Sequence, residues 1–200
     1  MGVRAVIFDI GGVLEVNSEM TFIADWLDRL GLTFEDLGPE LFEIWAKGER
    51  GTVTESQVRE AIRSGLSVDD RIADAVMTDM WKQYLGVANF ELIDYLAGLR
   101  PRFRTGLLSN SFVGAREHES AAYGFEDLVD DIVYSHEVGM AKPDPRIYLL
   151  ACRRLGVDPG ETVFVDDSEM AVTGAESVGI TAILHESNTR TIALLDAALL

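Results

Sequence analysis

Five short apolar runs constrain this chain more than any other feature. Val3–Phe8 ("VRAVIF") has a β-branched bias and ends on Asp9. It reads as a strand buried on both faces, the kind found in parallel sheets. Thr105–Asn110 ("TGLLSN"), Asp131–Ser135 ("DIVYS"), Thr162–Asp167 ("TVFVDD") and Thr181–Leu184 ("TAIL") read as four more strands. Helix-period segments lie between them, at Phe90–Leu99, Ala115–Tyr123, Pro145–Leu155 and Met170–Val178. Such alternation predicts an α/β fold, a doubly wound parallel sheet with helices on both faces.

Residues Val16 to Ala88 break that rhythm. "MTFIADWLDRLG" is helical in period and stops at Gly31, and "PELFEIWAKGERG" ends at a glycine turn. "TVTESQVREAIRSG" opens with a capping-box pattern from Thr54 to Gln57, and "SVDDRIADAVMTDMWKQYLG" is a fourth helix. Four consecutive helices without strands predict an inserted bundle. The expected division is a core of residues 1–15 and 89–200 with a helical insert at 16–88.

A chain of 200 residues can build one core with a small insert. Its formal net charge of −17 repels phosphate backbones and anionic lipid, which argues against nucleic-acid and membrane partners. The single cysteine, Cys152, can form no internal disulfide and fits a reducing cytoplasm. The opening "MGVRAVIFDIGG" is too short and too soon acidic for a signal peptide. No apolar run reaches membrane-spanning length.

In open parallel sheets, ligands bind beyond the carboxyl ends of the strands. Four of those ends carry a restricted set of groups. The first gives Asp9, the second Ser109 and Asn110, and "EVGMAKPDP" after the third supplies Lys142; the fourth gives Asp166 and Asp167. Converging carboxylates repel one another, and some take up protons. A hard divalent cation held by oxygen ligands, most naturally Mg2+, relieves that repulsion and is often shared with a substrate phosphate. Lys142 adds a second positive charge for an anionic substrate, and Ser109 and Asn110 can hydrogen-bond phosphoryl oxygens. Asp9 can attack phosphorus, splitting one hard displacement into two steps. Gly11 and Gly12 let the backbone turn sharply and approach a ligand closely.

"FDIGGVL", "LLSNS", "AKPDPRIY" and "FVDDS" stand in the order and approximate spacing of the four motifs of the haloacid dehalogenase-like (HAD) superfamily. The chain resembles that family from residue 8 to 168, and its insert resembles the C1-type helical cap of subfamily I. The resemblance implies a Rossmann-like core, a Mg2+ cofactor, a small phosphorylated substrate and an aspartyl-phosphate intermediate. Carried over by position, Asp9 is nucleophile and metal ligand, and the Gly11 carbonyl is a second ligand. Ser109 and the backbone of Asn110 bind the phosphoryl group. Lys142 stabilises the intermediate, Asp167 binds the metal, and Asp166 supports it.

The family's phosphatases usually carry a second aspartate two residues after the nucleophile, as general acid and base. Here that position is Gly11. Such help is typically worth about 10²–10⁴-fold. Three readings follow. The leaving group is a good one, as in an acyl phosphate or a sugar-1-phosphate, and the chain is similar to sugar-1-phosphate phosphatase-like members with glycine there. Or another acid deputises, Glu15 or Glu49. Or the protein has lost turnover and binds a metabolite or partner. The 2-haloacid dehalogenases also lack this aspartate, but they work without metal and do not keep a double aspartate in the last motif. They rank below the phosphatases. A phospho-receiver domain places its acid pair on the first strand, and the order here rules it out. After "DDS", Ala171 stands where relatives have a polar residue, with Glu169 as a substitute. His118, His136 and His185 have no metal-ligand spacing. Trp26, Trp45 and Trp81 read as bundle core, and Arg50 as a candidate grip on a substrate anion.

Overall fold

The computed structural model describes residues 2–200 of the protein. Each apolar run becomes a strand within one or two residues of its expected bounds. The strands are β1 (Ala5–Phe8), β4 (Arg104–Ser109), β5 (Asp131–Tyr134), β6 (Thr162–Asp166) and β7 (Thr181–Leu184). They form one parallel sheet in the order β5-β4-β1-β6-β7. Alternation along the strands decides what each face buries. Ala5 and Ile7 of β1, Leu108 and Phe164 pack on one face with Ile147, Ala151 and Ala175. Val6, Phe8, Leu107 and Val165 pack on the other with Leu92, Leu96 and Leu195.

Helices supply those covering residues. The segment before β4 holds α5 (Phe90–Leu99), and α6 (Ala115–Tyr123) with the short α7 (Phe125–Leu128) joins β4 to β5. The short α8 (Ser135–Val138) and α9 (Pro145–Leu155) precede β6, α10 (Glu169–Glu176) precedes β7, and α11 (Asn188–Ala198) ends the chain. The result is the α/β fold with helices on both faces of a parallel sheet that the alternation predicted, of the Rossmann-like kind that the resemblance implied.

Between β1 and α5 lie α1 (Phe22–Leu30), α2 (Pro39–Glu49), α3 (Glu55–Gly65) and α4 (Asp70–Leu85). The capping box at the start of α3 forms as read: the Gln57 N–H bonds Thr54 Oγ1 and the Thr54 N–H bonds Gln57 Oε1. A difference appears at the neck. β2 (Glu15–Val16) and β3 (Val87–Ala88) pair there as a short antiparallel ribbon, where the sequence predicts no strand. Two residues per strand are too few for a periodicity signal, so only the pairing shows them. The apolar cluster on one sheet face runs on into the helices through Val13, Leu14, Phe22 and Trp81, making one core.

Candidate active site

The tips of β1, β4 and β6 meet where the strand order reverses about β1, the position at which such sheets bind ligands. The Asp9 N–H still bonds the Val165 carbonyl of β6 at 2.8 Å. Beyond it the backbone folds on itself, with the Leu14 and Glu15 N–H groups both bonding the Ile10 carbonyl. Gly12 has φ +76°, in the left-handed region, and a Cβ there would run into the Asp167 carboxylate. Gly12 is therefore demanded by the site itself. A Cβ on Gly11 would meet only Asn17 Oδ1, at an ordinary 3.5 Å.

Lys142 is buried between two carboxylates, with Nζ 2.7 Å from Asp9 Oδ1 and 2.7 Å from Asp166 Oδ2. Asp166 Oδ1 accepts the Ser168 N–H at 2.8 Å, so both of its oxygens are engaged. Asp9 Oδ1 also accepts the Ile10 N–H at 2.8 Å, which leaves Oδ2 for other chemistry. A reciprocal pair holds the lysine loop: the Lys142 N–H bonds Asn110 Oδ1 at 2.8 Å, and Asn110 Nδ2 donates to the Lys142 carbonyl at 2.9 Å. The Asn110 side chain is thus committed to Lys142, and its part at a ligand falls to the backbone. Ser109 Oγ makes one weak bond, to the Asn110 carbonyl at 3.4 Å.

Asp9, Asp166 and Asp167 each bring an oxygen within 4.8 Å of the others. Burial pushes Asp9 up to about 7, with Lys142 pulling down and Asp166 adding to the rise. Asp167 is raised by burial and by Asp166. Burial alone would lower Lys142, but Asp9 and Asp166 together hold it above its ordinary value. Three carboxylates cluster around one ammonium that contacts two of them, and Asp167 is the exposed member. That donor set, all oxygen and short of positive charge, fits a hard divalent cation beside Asp9 and Asp167.

In front of Asp9 lies a cavity of about 220 Å³. Asp9, Ser109 and Asn110 line it together with Glu15, Tyr84 and Glu119. Burial pushes Glu15 up to about 9 and Glu119 up to about 8.

The family model for haloacid dehalogenase-like hydrolases matches residues 3–179. The chain belongs to the haloacid dehalogenase-like hydrolases. This HAD-like chain is 24% identical over 194 residues to the D-ribitol-5-phosphate phosphatase of Bacteroides thetaiotaomicron, covering 92% of this chain and 93% of that one. It is 25% identical over 189 residues to the validoxylamine A 7'-phosphate phosphatase of Streptomyces hygroscopicus, covering 88% and 83%. A solved HAD family enzyme of Bacteroides thetaiotaomicron matches with a TM-score of 0.79 at 26% identity, over 98% of this chain and 99% of that one. The same enzyme in complex with magnesium and inorganic phosphate matches at 0.75 and 28% identity, over 92% and 95%.

Most of the residues singled out in the sequence converge in this HAD-like fold: Asp9, Gly11, Ser109 and Asn110 on the cavity, with Lys142, Asp166 and Asp167 beside Asp9. Glu15 joins them, whereas Glu49 and Arg50 are exposed at the end of α2 and are not on the cavity wall. Glu169 is exposed at the start of α10 and lies outside the carboxylate cluster. The histidines make local contacts: His118 with Glu55, His136 with Ser111 and His185 with Thr191. Trp81 is buried, and Trp26 and Trp45 pack against the same core. Glu119 was missed. Its signal was the stripe Phe112, Ala115, Glu119, which puts an acid on the buried side of a short helix.

Proposed function

We propose that this hydrolase is a Mg2+-dependent phosphatase of a small phosphorylated metabolite, working through an aspartyl-phosphate on Asp9. The observation that carries the reading is the Asp9–Lys142–Asp166 array, which engages Asp9 Oδ1 and leaves Oδ2 without a hydrogen bond, at a residue that lines the cavity with Ser109 and Asn110. The relatives named D-ribitol-5-phosphate phosphatase and validoxylamine A 7'-phosphate phosphatase support it, as does the related enzyme solved with magnesium and phosphate.

In this mechanism Ser109 Oγ and the Asn110 backbone hold the phosphoryl oxygens. Asp9 Oδ2 attacks phosphorus, the bond to the leaving oxygen breaks, and Lys142 offsets charge on the Asp9 adduct. Water then attacks the phosphorus of the adduct and frees Asp9. Asp9, Asp167 and the Gly11 carbonyl would hold the cation, with Asp166 in support; when bound it neutralises carboxylate and phosphoryl charge. We place the enzyme core in residues 1–15 and 89–200 and a C1-type cap in residues 16–88, with the cap helices closing over the cavity. A buried free thiol at Cys152 suits a cytoplasmic enzyme. Among the described residues no helix is long and apolar enough to cross a membrane.

Gly11 leaves two routes for departure. A sugar-1-phosphate or acyl phosphate loses a group that needs little protonation, whereas an alkyl phosphate needs an acid from elsewhere. The same glycine favours a second reading, a protein that binds the metabolite with little turnover.

The test is phosphate release from acyl phosphates, hexose-1-phosphates, hexose-6-phosphates and a nucleotide, with and without Mg2+, beside Asp9→Asn. The expected result is Mg2+-dependent release abolished by the substitution. Turnover that survives Asp9→Asn removes the nucleophile assignment. Tight Mg2+ or ligand binding without release favours the binding protein, and halide release from a 2-haloacid without metal favours a dehalogenase.

A further inference from the structure

Two buried glutamates flank the cavity before Asp9 and have no part in the steps above. Glu15 is 1% exposed and Glu119 is 0% exposed, and both line that cavity. The Oε1 atom of each has no hydrogen-bond partner. An orphaned buried carboxyl oxygen costs free energy, so it calls for a role. Both groups are firmly set. Glu15 sits in the closed turn after β1, its N–H on the Ile10 carbonyl and its carbonyl on the Gly12 N–H. Glu119 Oε2 accepts the Tyr134 hydroxyl at 2.6 Å.

Charge decides their protonation. Asp9, Glu15 and Glu119 surround one small cavity. The ammonium beside it, Lys142, is already shared by Asp9 and Asp166. Two ionised glutamates buried on one small cavity would repel each other even with a cation neutralising Asp9, so protons stay in the pair. Burial and the Asp9 charge act that way on Glu119, against Tyr134 and Arg116. A neutral carboxyl with a free edge, next to a nucleophile that lacks its usual acid, is chemically suited to the vacant role.

We propose that Glu119 is the general acid of this site, so that the enzyme cleaves phosphate esters of ordinary alcohols. The proposal rests on the phosphatase reading and deepens it. When Asp9 Oδ2 bonds to phosphorus, the P–O bond to the alcohol breaks and its electron pair goes to oxygen. The Glu119 proton moves to that oxygen and the alcohol leaves. The Glu119 carboxylate then takes a proton from the attacking water, whose oxygen joins phosphorus as Asp9 is released. Protons and electrons balance over the cycle.

The test uses the full chain with Mg2+ and two classes of probe. One class is alkyl phosphates: glycerol 3-phosphate, ribitol 5-phosphate and glucose 6-phosphate. The other is p-nitrophenyl phosphate, whose leaving group needs no proton. Glu119→Gln is expected to lower kcat/KM for the alkyl esters by about 10²–10⁴-fold and for p-nitrophenyl phosphate by less than about tenfold. Gly11→Asp, which has room for its Cβ, is expected to restore alkyl turnover in the Glu119→Gln background. Wild-type turnover of the two classes needs no variant to fold. An equal fall on both classes or no fall on either overturns the proposal. So does wild-type cleavage of p-nitrophenyl phosphate with none of any alkyl ester, although the phosphatase reading then stands. Release from neither class removes the phosphatase reading itself.

Discussion

Glu119 carries a cost that pH exposes. Its ordinary value of 4.5 rises to about 8 in the fold, chiefly through burial. Between those values the folded protein holds a proton that the unfolded chain has lost. The stabilisation is therefore complete below about 4.5 and is lost as the pH rises through about 8. One such group changes stability by at most about 1.4 kcal/mol per pH unit. Glutamine keeps the shape and still accepts the Tyr134 hydroxyl but cannot ionise. Urea denaturation of Glu119→Gln and wild type at pH 5, 6.5 and 8, without metal, is expected to show the variant gaining relative stability as the pH rises. Parallel curves at all three would mean Glu119 does not titrate in the fold.

At the scale of elements, the neck between sheet and helices sets how the cavity is walled. Gly86, between α4 and β3, has φ +60°, and a Cβ there would strike the Val16 carbonyl. Asn89 ties the neck to both sides, its N–H on the Leu14 carbonyl and its Nδ2 on the Val13 carbonyl and on Asn188. The helices also lean on α6: Glu55 of α3 accepts Trp81 Nε1 of α4 and contacts His118, which stacks on Trp81 at 3.9 Å. One helix thus presents His118 to the helical segment and Glu119 to the cavity. Gly86→Ala combines a glycine-only conformation with a backbone clash, and a loss of about 1–3 kcal/mol is expected. Thermal denaturation checks it; an unchanged Tm would mean the neck absorbs the change freely.

For the whole molecule, the −17 charge and the acidic cluster at the strand tips make cation binding a stability effect. An ion that binds only the folded state at 100 times its Kd adds about 2.7 kcal/mol. For a chain of this size that raises Tm by about 2–4 °C per kcal/mol. Mg2+ is expected to raise the Tm of the wild type, and Asp167→Asn to abolish most of that rise, against a monovalent-salt control of equal ionic strength. An equal rise in both proteins would assign the effect to general screening of the acidic surface.

The strands and most helices were legible because their signals are local: β-branched runs, helical period, and the capping box at Thr54 and Gln57. The four polar strand ends were legible for a related reason, since the chain direction puts every parallel strand end on one side of the sheet. Three-dimensional packing decided the rest. The two-residue ribbon at the neck is too short to leave a pattern. Asn110 was readable as a polar strand-end residue, but its reciprocal bonds to Lys142, 32 positions away, exist only when β4 and the lysine loop meet. Glu15 and Glu119 lie 104 residues apart in an acidic chain, where charged residues ordinarily face solvent. Folding buries both in the wall of the Asp9 cavity with an unpartnered oxygen each. Burial is a property of the whole packed molecule, and it raises the proton affinity of two of many glutamates.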